Sequence, residues 1–405
     1  MTFLLSINFI ESDKFYQGEY YYLLLSSLLG ALVVSSSRDL LTIFIGIELA
    51  STPMFLLSGW KKGDRKSNEG AIKFFLLGVL SASLILYGFS LIYGLTGQLV
   101  FTDISAYLLA NSLGSSPVIL LSAILVISGI GFKISVVPFH SWAPDTYEGA
   151  PLPITAYLSV SSKATGFVAL IVLLTKVFES SGQSWGVILA FVAGATMTLG
   201  NLVALQQTNP VRLLAYSSIS QAGFIIAPLA VSGITGNYQD GIFASVTYLI
   251  IYAFMNIGAF LSVHLFTNFT KSDNFYEWGG IAKHSPLAGV LTTVFFFSLA
   301  GIPPLGGWFA KFVVFRSLLS TGEIIGISLA IVGAINAVIA LVYYARISKV
   351  IWMDELKNPE EEKSFEFQSP LKVVGAFTVL ITFVAGIFPG IFSYLGEVSS
   401  IFFGN

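Results

Sequence analysis

Long runs of apolar residues recur along almost the whole chain and are separated by short polar connections. A helix needs roughly 20 predominantly apolar residues to cross the hydrocarbon core of a bilayer. By that criterion the pattern predicts about eleven membrane-spanning helices, at Tyr20–Ser36, Leu40–Gly59, Glu69–Tyr93, Pro117–Trp142, Pro153–Lys176, Trp185–Leu205, Arg212–Val231, Gly241–Phe266, Pro286–Leu318, Ile324–Val350 and Leu371–Phe388. Because the connections are short, residues 1–405 are predicted to form a single all-α, polytopic membrane domain.

Prolines and glycines interrupt two of the predicted spans, the fourth at residues 129–145 and the ninth at residues 300–312. Proline removes a backbone donor and frees a carbonyl, so in lipid such a break needs protein or water to satisfy it. Since the breaks lie five spans apart, we expect two repeats of five helices, residues 19–177 and 184–352, each broken at its fourth helix. An odd number of helices inverts the second repeat, and a C-terminal helix at 370–393 completes the fold. Matching breaks in inverted repeats indicate an ion pathway near mid-membrane.

The composition supports a membrane environment and excludes several kinds of site. Apolar residues make up 55% of the 405 residues and charged residues 10%, whereas a soluble domain has about 25% charged residues. Cysteine is absent, so the chain forms no disulfide and holds no zinc or iron–sulfur cluster through thiolates. The sequence has no nucleotide-binding glycine loop, metal-ligand cluster or basic tract, which predicts that this chain itself binds no cofactor, metal or nucleic acid.

Basic residues indicate how the chain is oriented. They are concentrated in loops on the side that holds the N-terminus, including the loop from Lys61 to Lys66, whereas the other side holds only Arg38, Lys176 and Arg316. Basic loops stay on the untranslocated side of a membrane. We therefore expect a multi-pass protein of the inner (plasma) membrane with a cytoplasmic N-terminus and a C-terminus on the outer side.

After the residues assigned to loops and span ends are set aside, five charged residues remain inside the predicted spans: Glu48, Lys73, Lys133, Lys163 and Lys311. Each central charge costs roughly 2.5–3.5 kcal/mol on insertion scales, so such residues are usually functional. Lys163 lies in mid-span, and Lys133 and Lys311 adjoin the two breaks. Glu48 is the one carboxylate deep in a span, so we expect it to approach Lys133. Lys73 lies one turn inside its span and could instead reach the interface.

His140 and a polar run at residues 216–221 complete the candidates. His140 follows the first break and could relay protons or hydrogen-bond the broken backbone. The polar run could line a water path or hold helices together. The pattern as a whole predicts a chain of proton-binding sites, and the alternative is static pairing or snorkelling of the charged groups.

These residues stand in motifs that resemble the antiporter-like family, which comprises membrane subunits of the proton-pumping NADH:quinone oxidoreductase (respiratory complex I) and of multisubunit sodium/proton antiporters. The resemblance covers nearly the whole chain. The motifs that carry it are Gly46-Ile-Glu48-Leu, Ala71-Ile-Lys73-Phe-Phe, Gly131-Phe-Lys133 with Pro138-Phe-His140-Ser-Trp142-Ala-Pro144-Asp145, Ser162-Lys163-Ala, Arg212–Gly223, and Gly301–Gly307 with Lys311.

The resemblance implies a proton-translocating subunit of NADH:quinone oxidoreductase, and the Pro-Pro-Leu-Gly-Gly context of Lys311 resembles the subunit N branch. It implies that Glu48, Lys133, Lys163 and Lys311 are the family's carboxylate and lysines. NADH, FMN, iron–sulfur clusters and quinone are then expected in partner subunits, with antiporter-like subunit M, small membrane subunits and lipid as neighbours. The family's first three helices are missing here, and residues 1–10 resemble the end of the third.

Three alternatives remain open at this point. The chain could be an Mrp-type cation/proton antiporter subunit, a membrane subunit of an energy-converting hydrogenase, or a structural spacer with vestigial charges.

Overall fold

A computed structural model of the chain describes residues 1–11, 18–355 and 369–404. Throughout these ranges the regular elements are helices, and the single β-type contact is an isolated bridge between Asp39 and Val100. The α-helices are α1 (Thr2–Glu11), α2 (Glu19–Ser36), α3 (Leu40–Ser58), α4 (Arg65–Thr96), α5 (Phe101–Ala110), α6 (Pro117–Ile134), α7 (Trp142–Gly149), α8 (Leu152–Tyr157), α9 (Lys163–Lys176), α10 (Gly182–Ala204), α11 (Pro210–Thr235), α12 (Tyr238–Thr270), α13 (Ile281–His284), α14 (Pro286–Ala300), α15 (Gly306–Ser320), α16 (Ile324–Met353), α17 (Ser369–Ile387) and α18 (Gly390–Gly404).

The predicted polytopic all-α fold is confirmed. Ten segments within the described ranges are long and apolar enough to cross a bilayer. The predicted ninth span, Pro286–Leu318, corresponds to α14 and α15, which have 15 residues each and are separated by the second break. Each is too short to span a bilayer alone. The division into two inverted repeats, residues 19–177 and 184–352, stays a prediction.

Both predicted breaks are present in the structure. The first separates α6 from α7, where Ser135 takes a left-handed conformation with φ of 59°. The second separates α14 from α15, where Gly301 has φ of 97°, a conformation that glycine adopts without a steric penalty. At the first break, the carbonyl of Phe132 accepts hydrogen bonds from the indole of Trp142 at 2.9 Å and from the backbone N–H of Ser135 at 3.1 Å. Ser135 and Val136 at the first break and Leu305 at the second are buried, whereas Pro138, Pro303 and Pro304 are exposed on the surface of this chain.

Three local features differ from the sequence-based expectation. The short helix α5 lies in a connection and buries Phe101, Ile104 and Leu108. The C-terminal segment predicted as one helix at 370–393 is divided, because α17 ends at Ile387 and α18 begins only at Gly390. The intervening Pro389 cannot continue the hydrogen bonding of the preceding helix. In addition, a π-helical turn at Leu158–Ser162 directly precedes α9.

Candidate functional site

Lys133 and Glu48 form an ion pair in the interior of the bundle. Lys133 lies in the last turn of α6, and its Nζ is 3.4 Å from Oε1 of Glu48 and 2.9 Å from Oγ of Ser51. The side chain of Lys133 is 6% exposed and that of Glu48 is 28% exposed. The rings of Phe55 and Phe132 lie near the ammonium, with centroids 5.6 and 5.8 Å from Nζ. The predicted approach of Glu48 to Lys133 is confirmed.

A small cavity lies beside Lys133 and reaches the start of α9. Its volume is about 10 Å³, and its polar lining includes Lys133, Ser51, Ser162 and Thr165. A cavity of roughly 10–15 Å³ holds one water molecule when two or more polar groups face it. The cavity thus provides room for one water between Lys133 and the hydroxyls next to Lys163.

Lys163 is the most deeply buried of the candidate lysines. It is 1% exposed, and its Nζ donates to the backbone carbonyl of Ser218 on α11 at 2.8 Å. The hydroxyl of Ser218 in turn accepts a hydrogen bond from the hydroxyl of Tyr252 at 2.9 Å. The π-helical turn before Lys163 is a feature that is frequent at functional sites. No carboxylate of the described chain forms an ion pair with Lys163.

Lys311 lies in α15, just beyond the second break, and is 5% exposed. Its Nζ donates to the carbonyls of Leu299 at 3.1 Å and Ala300 at 2.6 Å, which are the carbonyls that the end of α14 leaves free. The side-chain amide of Gln221 donates to the same Leu299 carbonyl at 3.3 Å. The Lys311 ammonium and the Gln221 amide of α11 therefore share one acceptor, the carbonyl oxygen of Leu299.

Tyrosine hydroxyls add further buried polar contacts around α11. The Tyr248 hydroxyl donates to Oε1 of Gln221, and the hydroxyls of Ser217 and Tyr344 form another hydrogen bond. All four residues are fully or almost fully buried. The polar run at residues 216–221 thus lies between Lys163 and Lys311. The sequence analysis did not single out these tyrosines. The feature that could have indicated them is a phenol hydroxyl within a strongly apolar span, where it needs a hydrogen-bond partner.

Lys73 and His140 lie apart from this region. Lys73 is 44% exposed and pairs with Asp145 at 2.6 Å and with Glu69 at 2.7 Å, which agrees with the interfacial interpretation. His140 lies half-buried in the connection between α6 and α7. In the part of the chain that the structure describes, no hydrogen bond joins His140 to Lys133 or to another of the buried lysines.

The sequence analysis missed an ion-pair cluster on α7, which we call the α7 cluster. Arg212 donates to Asp145 at 2.8 Å and to Glu148 at 2.7 Å, and Lys66 pairs with Glu148 at 2.8 Å. Burial alone would raise the pKa of Asp145, but hydrogen bonds from Lys73 and Arg212 outweigh it and hold this pKa below its ordinary value. The pKa of Glu148 is lowered in the same way, by Lys66 and Arg212. The α7 cluster fastens the second half of the first broken helix to α4 and α11.

Comparisons with known proteins agree with this geometry. The family described as NADH:quinone oxidoreductase/Mrp antiporter, TM, matches residues 37–338. NADH-quinone oxidoreductase subunit N 2 of Rhizobium meliloti is 40% identical over 403 residues, which are 99% of this chain and 81% of the relative. A chain of respiratory complex I from Thermus thermophilus superposes with a TM-score of 0.76 at 28% identity, covering 94% of this chain and 81% of that one. A chain of the Mrp complex from Dietzia shares the fold, with a TM-score of 0.83 at 20% identity and coverage of 95% and 77%.

Proposed function

Because the chain belongs to the NADH:quinone oxidoreductase/Mrp antiporter family, we propose that it is the proton-translocating membrane subunit, of the subunit N type, in an NADH:quinone oxidoreductase. The chain would thus act as part of an enzyme complex. The observation that carries the proposal is the series of Glu48 and three buried lysines, Lys133, Lys163 and Lys311. Lys133 pairs with Glu48, Lys163 donates to the Ser218 carbonyl in the polar run, and Lys311 donates to the Leu299 carbonyl that Gln221 also contacts.

The three lysines are suited to holding and releasing protons. A lysine Nζ binds a proton as an ammonium and gives it up as a neutral amine, and burial brings these two forms closer in free energy. The carboxylate of Glu48 stabilises the charged form of Lys133, so a change in that contact would favour release. Serine and tyrosine hydroxyls between Lys163 and Lys311 can accept a proton on oxygen while releasing the one they carry.

We propose that the driving energy comes from partner subunits of the complex. Within the described residues no group of histidine, cysteine or carboxylate side chains could hold a metal ion. We propose that NADH, FMN, iron–sulfur clusters and quinone are bound by partner subunits, with antiporter-like subunit M and small membrane subunits as neighbours. Apolar side chains exposed on α4 and α16 supply surfaces for those subunits or for lipid, among them Ile72, Leu76, Leu80, Ile331, Ile335 and Val338.

We also propose the orientation in the inner membrane. The loop that contains Lys61, Lys62, Arg65 and Lys66 lies at one end of the bundle, which we call the basic end. Positive loops remain cytoplasmic, so the basic end and the N-terminus would face the cytoplasm and the C-terminus the outer side.

Substitution of Lys311 tests the proton relay. In sealed membrane vesicles containing the assembled complex, Lys311→Met should impair proton pumping and slow the coupled quinone reduction, because Met keeps an unbranched apolar stem but has no titratable nitrogen. Lys311→Arg should fail as well, since arginine keeps its charge but does not release a proton. The exposed Lys349 on α16 provides the matched control, and Lys349→Met should pump normally. Normal proton-to-electron ratios in the Arg variants of both Lys133 and Lys311 would contradict the relay and favour a static role.

A further inference from the structure

The C-terminal segment is divided at the point where it passes the second break. Its first half, α17, ends at Ile387, because Pro389 has no N–H and cannot continue the helix. Gly306, where α15 begins, lies against Ala385 in the last turn of α17, and both residues are buried. The end of α17 and the beginning of α15 are therefore direct neighbours.

Gly386 makes two contacts with the second break. Its carbonyl accepts a hydrogen bond from the indole Nε1 of Trp308 in the first turn of α15, at 3.3 Å. This carbonyl lies in the last turn of α17, where carbonyls have no partner within the helix. The backbone of Pro304 lies so close to Gly386 that a methyl group on Gly386 would overlap the Pro304 carbonyl. Both contacts hold the stretch of chain from which α15 starts.

The position of Lys311 depends on how the start of α15 is held. Lys311 lies one turn after Trp308, whereas the two carbonyls that its Nζ contacts belong to Leu299 and Ala300 at the end of α14. Residues 301–305, which connect the two helices, are not helical. Contacts between helices therefore have to fix where α15 lies relative to α14.

Two hydrogen bonds hold the first turn of α15, each from a different helix. The Gly307 N–H donates to Oγ of Ser298 in α14 at 3.1 Å, and Trp308 donates to Gly386 in α17. We propose that the end of α17 positions Lys311, with Trp308 as the positioning residue through which it acts. The inference rests on the proposed function and adds to it a role for the C-terminal segment, which is to keep the Lys311 ammonium within reach of the α14 carbonyls.

Two substitutions of Trp308 separate the hydrogen bond from packing. Trp308→Phe keeps an aromatic ring but removes the N–H. In sealed vesicles containing the assembled complex it should lower the pumping rate by about two- to tenfold, the factor that corresponds to one lost hydrogen bond. Trp308→His removes more of the ring system, but its Nε2 stands at the ring position of the indole Nε1 and can carry an N–H. Trp308→His should therefore pump faster than Trp308→Phe.

Trp352→Phe is the matched control for the loss of an indole donor. Trp352 donates its N–H to the Thr293 hydroxyl at 2.9 Å, in a contact of α16 with α14 that does not involve the start of α15. This variant should pump normally. Native gel electrophoresis of every variant checks that the complex is assembled.

A second pair of substitutions tests the contact from α17. Gly386→Ala should lower the pumping rate at least as much as Trp308→Phe, because its methyl group displaces the backbone of Pro304. The control in the same helix is Gly375→Ala, whose methyl group would meet the side-chain ends of Leu261 and Leu291. Gly375→Ala should pump normally, because these side chains can adjust without moving α15.

Three results would contradict the reasoning at different levels. Pumping by Trp308→His that is no faster than pumping by Trp308→Phe would overturn the inference, since loss of packing would then explain the effect. Normal pumping by both Trp308→Phe and Gly386→Ala, in a complex whose pumping Lys311→Met impairs, would overturn it as well. Normal pumping by Lys311→Met would instead refute the proposed function.

Discussion

The contact between Glu48 and Lys133 gives the most quantitative prediction. Glu48→Gln keeps the length and shape of the side chain and its ability to hydrogen-bond, but it removes the negative charge next to Lys133. Packing around α3 should be preserved, so the variant should assemble. What changes is the relative free energy of the charged and neutral forms of Lys133.

The size of that change follows from the geometry. At a separation of 3.4 Å and an effective dielectric constant of about 20, two unit charges attract by about 5 kcal/mol. This attraction energy is an upper value for two reasons. The Glu48 side chain is 28% exposed on the surface of this chain, and desolvation of both groups opposes the attraction. Moving one elementary charge through 100 mV requires about 2.3 kcal/mol. The attraction between Glu48 and Lys133 is thus large enough, compared with the energy of moving a charge through the membrane potential, to control whether Lys133 keeps or releases a proton.

Proton pumping and quinone reduction should be measured together in sealed vesicles. We expect Glu48→Gln to lower the pumping rate by at least about tenfold, since 1.36 kcal/mol already corresponds to a factor of ten. Glu179→Gln, which alters an exposed carboxylate in a connection outside the buried series, is the matched control and should pump normally. Pumping by Glu48→Gln within a factor of two of the unaltered complex would refute the reasoning, because the lost attraction would then have no part in proton release.

Two further predictions concern the buried polar region and the orientation. Gln221→Leu keeps most of the side-chain volume but breaks the link between Tyr248 and the Leu299 carbonyl, so pumping should fall while assembly, followed by native gel electrophoresis, is retained; unchanged pumping would assign the polar run to packing alone. For the orientation, Lys62→Cys should be labelled only from the cytoplasmic side and Glu397→Cys only from outside the cell, and the reverse result would show an inverted topology.

The sequence was sufficient to predict those features that depend on the surrounding lipid bilayer. The apolar runs predicted the spans, and the prolines and glycines predicted both breaks, because a bilayer penalises polar groups and irregular backbone strongly. The pairing of Glu48 with Lys133 was predictable for the same reason, since the single deep carboxylate needs a cation nearby. These are statements about what lipid excludes, and they need no knowledge of which helices are neighbours.

The features that escaped prediction depend on contacts between helices. In the sequence, Tyr248 and Tyr344 cannot be told from other residues of apolar spans. Their role as hydrogen-bond partners depends on their contacts with Gln221 and Ser217 of α11. Lys73 was predicted to be a candidate because of its depth along one helix, whereas it pairs with Asp145 of α7 as well as with Glu69 of its own helix. The π-helical turn before Lys163 likewise has no sequence signal of its own. Hydropathy measures depth, but it does not show which helix a side chain faces.

The second helix break explains how Lys311 can be charged here with so little negative charge nearby. A helix end leaves carbonyls without partners and carries a partial negative charge, which favours a cation. Lys311 binds the last carbonyls of α14, so its ammonium is at the C-terminal end of the first half of a broken helix. Lys133 lies in the last turn of α6, but its Nζ contacts Glu48 and Ser51 and not the carbonyls of that helix end. Carbonyl oxygens stabilise an ammonium without any net charge, and when the proton leaves they do not become an isolated buried anion, as a carboxylate would. In the proposed relay, the second break would therefore provide Lys311 with a site at which a proton is bound and also released, whereas Lys133 would depend on the carboxylate of Glu48 to control the release.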